Sequence, residues 1–153
     1  MELLQERIRR EGRVLPGNIV KVDGFLNHRV DTRLLEDIAD EFAKYFDTSK
    51  ITVVLTAEAS GIALATICAQ KYGVPMLFAK KAKSDNIEGG LYQSDIYSYT
   101  YKKKVTLLVS KEWLSSDDKV LIIDDFMANG EAMRGLCDIV TAAGATLMGI
   151  GCA

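Results

Sequence analysis

A chain of 153 residues, 48% hydrophobic and 26% charged, holds enough apolar material for one packed domain of ordinary size. A formal net charge of -2, with lysines concentrated only locally, argues against a nucleic-acid binder, which needs a basic excess or stripe for its phosphate contacts. No apolar run approaches the roughly 18 residues of a membrane span, and the charged start MELLQERIRREG is not a secretory leader, so a cytosolic protein without a membrane partner is expected.

In chain order, residues 2–11 are predicted to form a short amphipathic helix ended by Gly12. The stretch VLPGNIVKV that follows has strand character. Thr32 is placed to cap a helix running to about Phe46, with Leu34, Leu35, Ile38, Phe42 and Phe46 on one face. ITVVLT, 51–56, reads as a buried strand, and AEASG as a loop of small residues. IALATICAQKY is a helix stopped by Gly73, and VPMLFAK is another apolar strand. Strand, helix and strand in that order imply a parallel sheet. KKAKSDNIEGG, 80–90, is polar, and the segments LYQSDIYSYT and KVTLLVS fit a hairpin. KVLIIDD, 119–125, is a third apolar run, followed by a helix over 130–143 and a further strand in ATLMGIGCA. Cys68, Cys137 and Cys152 show no metal-ligand spacing and read as small buried apolar residues in a reducing compartment.

Ligands of open α/β sheets bind at the carboxyl ends of the strands, and two such ends carry unusual loops here. In DDFMANGEA, Asp124 and Asp125 end a buried strand and need partners, such as paired sugar hydroxyls or a water-bound Mg²⁺. The small residues Ala128, Asn129 and Gly130, with Glu131 and Ala132 opening a helix, let backbone amides surround a phosphate. Acids for a ribose beside amides for its phosphate describe a ribose-5-phosphate pocket. A Walker B strand or a plain helix cap would show the same apolar-run-then-acids pattern, but GxxxxGK[ST] is absent. In the other loop, Glu58, Ala59, Ser60 and Gly61 offer amides and a hydroxyl to a second anionic group. Lys80 and Lys81, directly after a strand, are placed to reach a pyrophosphate, whereas Lys83 and Lys102 to Lys104 fit a solvated charged face nearly as well.

With these motifs, together with KVDGFLNHRVD at 21–31 and TAEASGIALA, the chain resembles the type I phosphoribosyltransferases, and within them the bacterial xanthine branch, from Met1 to Ala153. Relatives in that branch usually carry Ser where Ala59 stands and Leu where Val20 stands. The resemblance implies an α/β fold with a mainly parallel sheet flanked by helices and a small N-terminal hood, residues 1–30, over a base. It implies phosphoribosyl pyrophosphate with Mg²⁺ as one substrate, without direct side-chain ligation of the metal, and a 6-oxopurine, xanthine first, as the other. Asp124 and Asp125 would hold the ribose hydroxyls in the catalytic step. Residues 128–132 would bind the 5-phosphate, Glu58 to Gly61 the pyrophosphate, and the segment 80–104 would close over it. Val20 and Asn27 would meet the purine, with His28 structural or hood-forming. A homodimer is implied, and so are several tens of further residues that supply a purine-facing lysine. An adenine or other purine phosphoribosyltransferase, or a non-catalytic regulator that senses phosphoribosyl pyrophosphate, remain alternatives.

Overall fold

The computed structural model describes residues 1–17, 19–81, 90–98 and 103–153. Its centre is set by two apolar runs. Strand β3 (Val53–Ala57) is buried at every position, and β7 (Lys119–Asp124) at every position after Lys119. A strand that is apolar on both faces must be covered on both, the hallmark of a parallel sheet between helices. The two strands pair in parallel, and β4 (Met76–Ala79) and β8 (Thr146–Cys152) extend them to a parallel sheet of order β4-β3-β7-β8.

Side-chain alternation then sorts the strands into two cores. Val53, Leu55, Ala57, Val120 and Ile122 pack on one face, and Val54, Leu121 and Ile123 on the other. The first face is covered by α4 (Glu131–Ala142), through Met133, Leu136, Ile139 and Val140, and by an antiparallel hairpin of β5 (Leu91–Ser98) and β6 (Lys103–Ser110). The second face is covered by α2 (Thr32–Phe42) and α3 (Gly61–Tyr72), through residues such as Leu35, Ile38, Leu64 and Cys68. Thus β3 leads through α3 on one face, and β7 leads through α4 on the opposite face. That divergence makes the gap between the carboxyl ends of β3 and β7 a topological switch point.

The hairpin joins the sheet as well as the helix. Lys80 and Leu108 exchange two backbone hydrogen bonds of 2.9 Å, continuing the pairing past the end of β4. At the N-terminus, α1 (Glu2–Glu11) precedes a small ribbon of β1 (Arg13–Leu15) and β2 (Ile19–Lys21). Val22, Phe25 and Leu26 anchor the following turns in the second core. The Arg7 guanidinium lies 5.5 Å from the Phe25 ring centre and donates to Asp31 at 3.1 Å, pinning α1 to this lobe.

Helix α2 departs from expectation at both ends. The cap is Asp31, whose carboxylate accepts the Leu34 N–H at 3.3 Å, and Thr32 is the first helical residue. A carboxylate at this position satisfies a free N–H and also meets the positive end of the helix dipole. The helix ends at Phe42 rather than near Phe46. Phe46 stays on the apolar face, its ring 6.4 Å from that of Phe42, so the hydrophobic period outlasts the helix.

Candidate active site

Four strand ends and loops converge at the switch point. Strand β7 delivers Asp124 and Asp125, 7% and 1% exposed. The Asp125 backbone N–H donates to Asp124 Oδ1 at 3.0 Å, folding the two acids against each other. From the β3 side, the Ser60 hydroxyl donates to Asp125 Oδ1 at 2.8 Å. Ser60 precedes α3 yet makes no side-chain cap, so the hydroxyl that would serve its own helix serves the acid on the neighbouring strand. Among the described residues, Asp125 Oδ2 and Thr56 Oγ1 are buried without a hydrogen-bond partner. Buried polar atoms in that state leave unsatisfied capacity for a ligand.

Burial, reinforced by the adjacent Asp125 carboxylate, raises the Asp124 pKa to about 7. Gly61 makes the close approach possible. A Cβ there would run into Thr56 Oγ1 and the Asp124 carboxylate, so a larger residue would push the acid out of place.

After the acids, residues 126–129 form an exposed loop that turns through the half-buried Gly130 into α4. Gly130 takes φ +76°, a left-handed conformation that glycine adopts without cost, and makes no side-chain cap. The first-turn amides of α4 are therefore left for another acceptor. On the β3 side, the Glu58–Ala59 peptide is cis, and Glu58 Oε1 accepts the Lys81 backbone N–H at 2.5 Å. This bond ties the loop after β3 to the residues that follow β4.

These parts enclose a cleft of about 310 Å³. Of the residues singled out in the sequence, Ser60, Lys81, Asp124 and the whole loop 128–132 line it. Val20 of β2 and Asn27 of the turn after it line the opposite rim, bringing the N-terminal lobe to the same cleft. Asp125 lies beneath, joined through Ser60, while Glu58, Ala59 and Gly61 shape the loop rather than the wall. Lys80 is engaged through its backbone with β6. The exposed His28 is not among the lining residues. Lys83, Lys102 and most of the polar segment 80–90 lie outside the described residues.

The family model for the phosphoribosyl transferase domain matches residues 30–153. The chain belongs to this family. Among curated phosphoribosyltransferases, the xanthine phosphoribosyltransferase of Lachnoclostridium phytofermentans is 52% identical, over 99% of this chain and 78% of that protein. The xanthine phosphoribosyltransferase of Bifidobacterium longum is 50% identical, over 100% of this chain and 80% of that protein. In three dimensions, the adenine phosphoribosyltransferase of Saccharomyces cerevisiae superposes with a TM-score of 0.79 at 17% identity, covering 99% of this chain and 88% of that one. The α/β fold expected from the sequence is thus that of the phosphoribosyltransferases.

The phosphoribosyltransferase cleft also contains residues that sequence reasoning passed over. Phe126 and Met127 line it and are 48% and 51% exposed, large apolar side chains held in water at the mouth of a site. Their signal was local: two bulky residues between a pair of acids and a run of small ones. Ile96 and Tyr97 form part of the wall from β5, and no local feature announces them. They arrive only because the hairpin docks on α4.

Proposed function

We propose that this chain is a xanthine phosphoribosyltransferase. It transfers the 5-phosphoribosyl group of phosphoribosyl pyrophosphate to xanthine, giving xanthosine 5'-monophosphate and pyrophosphate. The observation that carries the reading is the pairing of two buried acids with a glycine-turned, uncapped helix start across one cleft. Identity of about half to relatives named for xanthine, over nearly all of this chain and 78% and 80% of theirs, favours that base.

In this reading the bond from the anomeric carbon to pyrophosphate oxygen breaks, and a bond to a purine nitrogen forms. The intervening state has oxocarbenium character, so fixed charge and positioning count for more than a nucleophilic side chain. Asp124 and Asp125 accept hydrogen bonds from the ribose hydroxyls and place negative charge beside the developing cation. Amides of residues 128–132 hold the 5-phosphate, while the loop from Glu58 to Gly61, with Lys80 and Lys81, holds the pyrophosphate. Val20, Phe126 and Met127 offer apolar surface to a flat base, and the Asn27 amide offers both a donor and an acceptor to its polar edge. Mg²⁺ would be held by the substrate phosphates and by waters, and the orphaned Asp125 Oδ2 suits acceptance from such a water rather than direct ligation. When bound, the ion neutralises the leaving pyrophosphate. A homodimer in the cytoplasm belongs to the same reading.

Pyrophosphate release, measured with phosphoribosyl pyrophosphate, Mg²⁺ and xanthine, guanine, hypoxanthine or adenine in turn, tests it. Release is expected to be fastest with xanthine and slowest with adenine. A chain that prefers adenine is an adenine enzyme. One that binds phosphoribosyl pyrophosphate yet releases nothing with any base is a sensor.

A further inference from the structure

Glu131 poses a problem for a phosphate cradle, because a carboxylate beside a phosphate dianion repels it. The structure directs that carboxylate elsewhere. Glu131 Oε2 accepts the Tyr97 backbone N–H at 3.2 Å and an Arg134 Nη2–H at 3.1 Å. The same Arg134 nitrogen donates to the Asp95 carbonyl at 2.8 Å. One turn on, Arg134 Nη1 and the Ser94 hydroxyl both donate to Asp138 Oδ2, each at 2.8 Å. Six residues, three in α4 and three in β5, therefore lace the start of the helix to the hairpin strand, with Gly135 closely apposed to Ile96 and Leu107 beneath them. Arg134 and the Tyr97 amide hold the Glu131 acid below its ordinary pKa, so it is ionised while so engaged.

We propose that Glu131 is a positioning residue that fixes the distance between the 5-phosphate loop and the Ile96–Tyr97 wall of the cleft. The inference rests on the phosphoribosyl-transfer reading for its kinetic consequence, but the lacing itself can be tested without a substrate. Glu131 keeps its charge away from the phosphate by spending it on β5 and Arg134. Its backbone N–H remains in the first turn of α4, where the phosphate is held.

The test compares Glu131→Ala, Glu131→Gln, Arg134→Ala and the double variant Glu131→Ala/Arg134→Ala in the full chain. Steady-state kinetics with xanthine and hydrogen exchange of residues 91–98 are the readouts. Glu131→Ala is expected to raise KM for phosphoribosyl pyrophosphate about tenfold, with a change in kcat below roughly threefold. It should also accelerate exchange in 91–98. Glu131→Gln retains an acceptor for the Tyr97 N–H and should recover a large part of both effects, while the double variant should be no worse than the worse single one. Equal loss in Glu131→Ala and Glu131→Gln, with exchange in 91–98 unaltered, would overturn the proposal in favour of a direct contact with the ligand. If the wild type releases no pyrophosphate with any base, the functional reading fails, and the exchange data alone decide whether Glu131 laces α4 to β5.

Discussion

Asp124 and Asp125 share a space that excludes most water, and the fold disfavours full charge on both. Because the folded pKa of Asp124 is raised to about 7, the folded chain binds this proton more tightly than the unfolded chain does. The associated stability is fully present below the ordinary carboxylate range and is lost as pH rises through 7. Asp124→Asn keeps an oxygen to accept the Asp125 N–H but carries no charge. It should therefore be more stable than the wild type at pH 8, on the order of 2 kcal/mol, and the gain should shrink at pH 5. Denaturant unfolding of both proteins at the two pH values checks this; a gain that grows towards pH 5 would contradict the assigned direction. The pair itself was legible in the sequence, because two acids at the end of an apolar strand can only be buried or bound. The use of Glu131 was not, since its partner Tyr97 is brought near by the docking of α4 on the hairpin.

Helix α4 docks closely on the hairpin. Gly135 sits where any Cβ would press into Ile96 Cγ2 and Leu107 Cδ1 of the hairpin. A glycine within a helix costs propensity, and here the cost is offset by close docking. Gly135→Val should force helix and hairpin apart and destabilise the chain by about 2 kcal/mol, measured by urea unfolding. An unchanged midpoint would show that the hairpin yields freely. The strands and helices were read well from hydrophobic period and from stops such as Gly73, which takes the left-handed cap after α3. The end of α2 is not legible in the apolar stripe, which continues to Phe46 after the helical hydrogen bonding has given way to a turn. Asp31 rather than Thr32 takes the cap, and the sequence does not separate them because Asp and Thr stand side by side and both cap well.

At the level of the whole molecule, two cores lie on opposite faces of one sheet and meet through β3 and β7. Ile122→Ala empties space in one core and Leu121→Ala in the other, yet the two residues are neighbours on the same strand. Each should cost about 2–4 kcal/mol, and each should shift a single unfolding transition rather than detach one face. Far-ultraviolet circular dichroism together with hydrogen exchange on both faces would detect a split transition if the cores were independent. The sheet and its two-sided covering were evident from the uninterrupted apolar runs. The N-terminal lobe's approach to Asp124 was expected only by resemblance, because nothing in the local pattern of residues 13–31 says where that ribbon lands.

The alternation along β7 has one more consequence. Val120 and Ile122 face one way and Leu121 and Ile123 the other, and the run passes straight into Asp124 and Asp125. Sliding this strand by one place would exchange the contents of both cores and, in the same stroke, turn each acid to the opposite face of the sheet. A chain misthreaded at β7 cannot keep a sound interior and a spoiled pocket, or the reverse. Turnover by a preparation is then a census of correctly threaded molecules, and catalytic titre can serve as a folding yield.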